Sequence, residues 1–355
     1  MLQPLVVGLG RSGSGLHLRT LVRLARRTGA TDDPLIALPA VGCDPRAGAP
    51  GSAGAPGELT AVSTLDQALA RVDPATAVAH VCTPPRLRYE VIARLAAHGV
   101  RRLVVEKPLA ASAAELDALV RLREQAGLDV VVVSHWTSSR LAGRLRRLVR
   151  EEVLGPLRRI TVDQHKPRFV RSLTTDGHPT ALDVEIPHSL ALALDLAGPA
   201  ELGAARCWDL RCEDRALPRL GGAHVELEHR SGVTTLLRSD LGAPVRQRSV
   251  VCEFEGGTAT AHFPLSEDDD HAQLLVHGPD AGPEAGHHVF RDDALTDFLE
   301  GAYRGFASGT ADAANFPLAH ATARLLCEAR EHCAVVPRPA AVPVATVPRA
   351  RAGSR

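Results

Sequence analysis

The sequence predicts two domains: an α/β domain built on a doubly wound parallel sheet, then an α+β domain with a large, mainly antiparallel open sheet. Three observations predict this. At 355 residues the chain exceeds the usual size of a single core. Up to about residue 135, short apolar strand candidates alternate with helical stretches, the pattern of βαβ units. Beyond that point longer strand candidates follow one another through hairpin turns, the pattern of an antiparallel sheet. The expected division is 1–135, 136–335 and a disordered tail over 336–355.

In the first domain Leu5-Val6-Val7 leads into Gly8-Leu9-Gly10-Arg11-Ser12-Gly13, followed by a helical stretch over about Ser14–Arg27. Between a strand and a helix, GxGxxG is the dinucleotide turn of a Rossmann domain. Its glycines permit the tight turn and close approach of backbone to pyrophosphate, and the helix start offers unpaired N–H groups to the phosphates. The next strand is expected at Leu35–Val41, closed by Gly42-Cys43-Asp44. A carboxylate at the tip of this strand is placed to accept bonds from the ribose hydroxyls of NAD, whereas nearby Arg46 would attract the 2′-phosphate of NADP. Asp44 lies 31 residues beyond Gly13, more than the usual spacing of about 20. The Gly/Ala/Pro-rich segment 47–57 reads as a loop.

A helix is expected over Thr64–Val72 and a strand over Ala77–Val81, stopped by Cys82-Thr83-Pro84-Pro85. Arg86–His98 fits a helix with Gly99 as its cap, and Arg101–Val105 a buried strand. That strand ends in Glu106-Lys107-Pro108, and the proline, lacking an N–H, stops further pairing. Ligands of open parallel sheets bind outside the carboxyl ends of the strands, so Glu106 and Lys107 are expected to face one. Ser112 with Glu115 forms a capping box. The strand Asp129–Val133 then delivers Ser134-His135-Trp136 to the same end of the sheet.

The second domain begins with a basic helix over Ser138–Val153, stopped at Gly155-Pro156. Strands are expected at Arg158–His165, Glu201–Cys212, His224–His229, Val233–Ser239, Arg248–Glu253, Thr258–Phe263 and Gln273–His277. A helix over Glu185–Leu196 interrupts the series, and helices Asp292–Ser308 and Phe316–His332 close it. Lys166 and Arg168, at the end of a strand, could line a substrate cleft or belong to a solvated basic loop, and His135 with Trp136 could line the cleft as well.

Composition narrows the function. Acidic and basic residues balance at 41 each, so no general field draws nucleic acid or an anionic membrane. No apolar run reaches the roughly 18 residues of a membrane span, and the N-terminus reads as a strand and not as a signal peptide. Seven cysteines without CxxC pairing point to reduced thiols in the cytoplasm. The run Asp268-Asp269-Asp270-His271 is like a metal site only in composition, and no metal is expected.

With GLGRSG at the N-terminus, CTPP at 82–85, VEKPLA at 105–110 and Asp183-Val184-Glu185-Ile186-Pro187-His188 at a helix start, the chain resembles the Gfo/Idh/MocA family of NAD(P)-dependent oxidoreductases. The resemblance implies a cofactor domain plus an open sheet, with a substrate held between them. It implies hydride transfer between NAD, or NADP, and a secondary alcohol or ketone of a sugar, amino sugar or aminocyclitol. Cofactor contacts are then expected from Gly8, Gly10, Arg11, Ser12, Gly13, Asp44, Arg46, Thr83, Pro84, Glu106 and Lys107. Lys107 and His188 would face the reacting carbon, with Asp183 as a third catalytic group. His135, Trp136, Lys166, Arg168 and Glu185 would line the substrate. The family commonly carries a carboxylate four residues before the histidine, where Val184 stands here; whether Asp183 or Glu185 partners His188 stays open. Arg88 and Tyr89 stand where a histidine often follows the TP turn, and Ala191 where Asp is frequent. The resemblance also points to a homodimer or homotetramer. An NAD-dependent glycosidase working by transient oxidation, or a non-catalytic dinucleotide-binding regulator, would share the fold.

Overall fold

The computed structural model describes residues 1–29, 34–46, 57–174, 178–266, 269–279, 281–310 and 315–339. Its first sheet comprises β1 (Gln3–Val7), β2 (Ala40–Cys43), β3 (Leu59–Val62), β4 (Ala77–Val81), β5 (Arg102–Val105) and β6 (Asp129–Val132). The strands run parallel in the order β3-β2-β1-β4-β5-β6. Chain order reverses between β1 and β4, so a crevice opens beyond their carboxyl ends. The helices α1 (Arg19–Gly29), α2 (Leu65–Leu69), α3 (Arg88–Ala97) and α4 (Ala113–Ala126) connect the strands.

The early elements differ from expectation in two places. The expected helix Ser14–Arg27 opens instead as a π-helical turn, Gly13–Leu18, before α1. The Ser12 carbonyl accepts from both Leu16 N, at 3.1 Å, and His17 N, at 2.9 Å. This widened turn directs His17 inward, where it is fully buried. The expected strand Leu35–Val41 is also shorter, because Pro39 has no N–H to give and regular pairing starts only at Ala40. Loop residues 47–56 lie outside the described residues, whereas the unexpected strand β3 follows them and pairs with β2.

A short turn, His135–Ser138, leads to α5 (Arg140–Arg150), with Ser139 Oγ accepting from Ala142 N. The helix expected over Ser138–Val153 is thus trimmed at both ends, by this cap and by a closing turn at Glu151-Glu152. Then come β7 (Leu157–His165), α6 (Phe169–Thr174), α7 (Ile186–Ala197), β8 (Ala200–Cys212) and β9 (Arg215–His229). They are followed by β10 (Thr234–Asp240), β11 (Gln247–Phe254), β12 (Gly257–His262), β13 (His271–His277) and β14 (Gly286–Arg291). The chain closes with α8 (Ala294–Ser308), α9 (Asn315–Glu331) and β15 (Ala334–Val335). The second sheet has the order β14-β13-β12-β11-β7-β10-β9-β8-β15 and is antiparallel except at β7–β10 and β8–β15. It is an open, mixed and mainly antiparallel sheet with α7 packed on β7 and β10.

Strand β9 starts nine residues before the expected His224, since Trp208 on β8 lies over Gly221 and Gly222, where a Cβ would come within 2.7 and 2.1 Å of its ring. Of the expected tail, Val336 donates to Cys207 O at 2.8 Å and Arg338 pairs with Asp240. These bonds hold the first tail residues to the sheet; residues 340–355 lie outside the described ones.

Alternate residues of the first sheet feed two clusters. On one face Val6, Val78 and Val104 pack with Leu21 and Leu24 of α1 and with Phe298, Leu299, Tyr303 and Phe306 of α8. On the other, Leu5, Ala79, Leu103 and Val130 pack with α3, α4 and, from α9, Phe316, Ala319 and Ala323. The last two helices of the chain therefore complete its first domain.

Candidate active site

The glycine turn follows β1 directly. Gly8 has φ +95°, and a Cβ there would sit 3.0 Å from the Cys82 carbonyl carbon; one on Gly13 would fall 1.9 Å from the Gly8 oxygen. Only glycine fits either position. Above Gly10 the turn is open, since a Cβ there would meet only an Arg46 nitrogen, at 3.9 Å. The residues thus form a cradle for a pyrophosphate, with the start of the following helical turn behind it.

Asp44, next after β2, is buried beside this cradle. Its Oδ2 accepts from Leu9 N at 2.9 Å and from the Arg46 guanidinium at 3.2 Å, while Oδ1 accepts from Arg46 N and Nε, each at 3.0 Å. The Arg46 side chain, beside it, holds the carboxyl below its usual range despite burial. The carboxylate expected to accept bonds from the ribose hydroxyls is already matched by a guanidinium, which is itself largely exposed over the cradle.

At the β4 and β5 ends, Arg88 ties two turns together. It is buried, donating from Nε to Thr83 O at 3.2 Å and from NH2 to Lys107 O at 3.3 Å. Pro84 opens the short turn before α3, and Thr83 Oγ1 is buried without a partner among the described residues. Glu106 receives Ser12 Oγ and, on its other oxygen, Lys107 N at 3.1 Å. Ser12 therefore links the glycine turn to Glu106.

Behind Glu106 runs a buried polar chain that sequence reasoning missed. Glu106 Oε1 meets His17 Nε2 at 3.1 Å, His17 Nδ1 meets His80 Nδ1 at 2.8 Å, and His80 Nε2 meets the Tyr303 hydroxyl at 2.9 Å. Burial opposes a charge on His17, but the Cys82 sulfur and the Glu106 carboxylate outweigh it and push the imidazole up to about 10. His80, buried beside that cation, is pushed well down and stays neutral. The bonding then assigns the protons: His17 donates to Glu106 and to His80 Nδ1, and His80 donates to the Tyr303 oxygen. Tyr303→Phe leaves His80 with a buried, unpaired donor. It should cost about 1–3 kcal/mol of unfolding free energy, measured by chemical denaturation; unchanged stability would refute this proton assignment.

The substrate side comes from the second domain. Lys107 Nζ donates to the Val184 carbonyl at 2.6 Å, which brings the β5 turn against the start of α7. His188, in the first turn of α7, is buried, with its ring centroid 4.7 Å from that of His135 and 6.0 Å from Trp136. Trp136 stacks on Phe263 at 4.1 Å and fixes that wall. His188 Nδ1 has no partner among the described residues. Burial, then Lys107 and His135, push its imidazole far down, so the ring is neutral. Burial also lowers the Lys107 ammonium to about 8, against the pull of Glu106.

Among the described residues neither carboxylate flanking Val184 bonds to the His188 imidazole; Glu185 meets His188 only through its backbone carbonyl, which accepts from His188 N at 3.1 Å. Asp183 accepts from Thr180 N at 3.1 Å and Oγ1 at 2.8 Å in a capping box, and pairs with Arg330 at 2.6 Å. Glu185 holds the Lys166 ammonium and accepts from Gln164 Nε2 at 2.5 Å; Ser189 Oγ in turn donates to Gln164 at 2.6 Å. Arg168 is buried next to Ser172, whose hydroxyl accepts from its NH1 at 2.9 Å. Arg11 stands on the glycine turn, close enough to act electrostatically on Arg168. Asp269, Asp270 and His271 cluster at the start of β13, away from this cleft, with Asp270 paired to Arg291.

Residues 3–135 match an oxidoreductase family with an NAD-binding Rossmann fold, GFO_IDH_MocA. The match covers the first domain and agrees with the resemblance carried by GLGRSG, CTPP and VEKPLA. By that match the chain is an NAD(P)-binding oxidoreductase, and the open turn of Gly8, Gly10 and Gly13 could hold the cofactor pyrophosphate. No curated protein sequence matches the chain. Among solved structures, a 3-ketoreductase from Actinomadura kijaniata in complex with NADP and TDP-benzene is 16% identical, covering 95% of this chain and 99% of its own, with a TM-score of 0.76. An NAD binding oxidoreductase from Klebsiella pneumoniae is 16% identical over 92% of this chain and 95% of its own, with a TM-score of 0.73. An oxidoreductase from Agrobacterium radiobacter in complex with NAD+, L-tartaric acid and magnesium reaches 0.69 at 15% identity, over 93% and 96%. At these identities the likeness is one of fold, and it runs across both domains.

Proposed function

We propose that this chain interconverts a secondary alcohol and a ketone on a sugar or cyclitol ring, with Lys107 and His188 at the reacting oxygen. The observation that carries this reading is the bond from Lys107 Nζ to the Val184 carbonyl, which sets an ammonium from the cofactor domain four residues ahead of His188. The nicotinamide, when bound, supplies or accepts the hydride. Lys107, buried and poised to about 8, gives a proton to the forming alkoxide or takes one from the alcohol. Neutral His188 holds the same oxygen by a hydrogen bond, and the stacked Trp136–Phe263 wall helps keep water out. Asp183, through its bonds to Thr180 and Arg330, positions the start of α7. A 3-ketoreductase among the structural neighbours supports this reading. Absorbance of reduced nicotinamide, followed against a panel of sugars, cyclitols and their keto forms, tests it. Absence of turnover with every member would sink the reading, and a glycosidase would release product with no net reduced cofactor.

Both cofactors should be accepted. Arg46 matches Asp44 and faces the open cradle, so Arg46→Ala removes a charge-assisted contact to a 2′-phosphate. The NADP specificity constant should fall about 10- to 100-fold while that for NAD changes little. Equal losses for the two cofactors would show that Arg46 only supports the turn.

The assembly we propose is a homodimer or homotetramer through the outer face of the second sheet. Leu236, Thr161, Val251, Thr260 and Leu275 are register partners in one row across five strands, and all are only partly buried. Seven free cysteines fit a reducing cytoplasm. Among the described residues no helix is long and apolar enough to cross a membrane.

A further inference from the structure

The cleft around His188 holds more positive charge than its own carboxylates match. Gln164 on β7 and Arg248 on β11 are direct cross-strand partners, so their side chains share one side of the sheet. That side faces α7, because the Gln164 amide bonds Glu185 and Ser189 of that helix start. Lys166 lies two residues beyond Gln164 and reaches the same Glu185. Arg168 follows, buried, with its Nε lacking any partner among the described residues. Lys107 and Arg88 stand opposite on the cofactor domain.

The acceptors these cations meet are mostly neutral. Arg248 donates to Pro264 O at 2.8 Å, Arg168 to Ser172 Oγ, Lys107 to Val184 O, and Arg88 to two backbone carbonyls. The nearby carboxylates are already engaged: Glu106 by His17 and Ser12, Glu185 by Lys166 and Gln164, Asp183 by Arg330. Burial, then the nearby charges of Lys107, Arg248 and Arg168, lower the Lys166 amine to about 6, so these cations stand close enough to repel one another. Leaving such charge unmatched in a buried cleft is costly, and an anionic ligand relieves it. The cofactor pyrophosphate belongs over the glycine turn and matches Arg11 there; it leaves Arg248, on the second sheet, unserved.

We propose that the substrate ring carries an oxyanion, a carboxylate or a phosphate ester, that is bound by Arg168 and Arg248, and that rings bearing an ammonium are rejected. This rests on the redox reading of the site and narrows its substrate class from sugars in general to acidic ones. Amino sugars and aminocyclitols would bring a like charge into the cleft.

The test uses the full chain saturated with NADP. Inorganic phosphate and pyrophosphate are first titrated by calorimetry against sodium chloride of matched ionic strength. D-glucuronate, glucose 6-phosphate, D-glucose and D-glucosamine follow. We expect both inorganic anions to bind, the acid or the phosphate ester to bind at least about tenfold tighter than glucose, and glucosamine to bind weakest. That preference should shrink as salt rises and should drop about tenfold in Arg168→Gln or Arg248→Gln with cofactor affinity kept. The salt dependence is read on the unmodified protein, so a variant that fails to fold does not block the test. Which oxyanion wins distinguishes an acid from a phosphorylated ring. No binding of either inorganic anion, glucosamine binding as tightly as glucuronate, or a preference surviving both variants would overturn the proposal. Arg168-dependent anion binding without any hydride exchange would sink the redox reading alone. Turnover of neutral sugars with no preference for anions would sink the charge proposal alone.

Discussion

Lys107→Met should lower kcat by about 10²–10⁴ while leaving cofactor affinity nearly unchanged. The methionine keeps most of the stem's packing and deletes the ammonium that lies against Val184, so the loss reports charge and not shape. The pH profile gives the signature. In ketone reduction the protonated amine is needed, so the rate should fall as pH rises through about 8; in alcohol oxidation it should rise over the same range. Both limbs should vanish in the variant. Stability moves in a defined direction as well. Burial holds the folded amine at about 8 against an ordinary 10.5, so the folded state binds its proton less tightly. The unmodified protein should gain stability relative to the variant as pH rises from 8 towards 10.5. A variant with normal kcat and an unchanged profile would remove Lys107 from the chemistry.

His188→Ala should also lower kcat by about 10²–10⁴, and His188→Gln should recover part of it by restoring a hydrogen bond to the substrate oxygen. The imidazole is held neutral by burial and by Lys107, so its own ionisation should not appear between pH 6 and 9. A limb near pH 6.5 that disappears in His188→Ala would contradict that environment. If both groups serve one oxygen, as proposed, the double variant should lose less than the product of the single losses.

Much of this site is legible in the chain because local rules place it. A glycine turn after a strand, and a Glu-Lys-Pro that stops another, each declare their end of a parallel sheet through a few neighbouring residues. Other parts have no local signature. His17 and His80 read as ordinary residues of a helix and a strand; only the packing of α8, more than 200 residues later, sets Tyr303 on His80. The neighbours of His188 raise the same difficulty. Asp183 and Glu185 stand five and three residues before it, and both spacings are compatible with a contact. Their carboxylates are drawn instead to Arg330 on α9 and to Lys166 and Gln164 on β7 and just beyond it, partners that spacing does not reveal. Strand β14 escaped because His287 and His288 replace the apolar alternation that marks a half-buried strand.

The placement of α8 and α9 on the two faces of the first sheet bears on how this protein is made. Synthesis runs from the N-terminus, so the six parallel strands leave the ribosome long before the helices that cover Val78 and Val104 on one side and Leu103 and Val130 on the other. A gene fragment ending at residue 135 would yield a sheet missing a helix from each side and a His80 without its tyrosine. The dinucleotide unit of this chain is therefore not a cassette that can be excised or grafted by cutting after β6, since it draws on helices as far along the chain as α9.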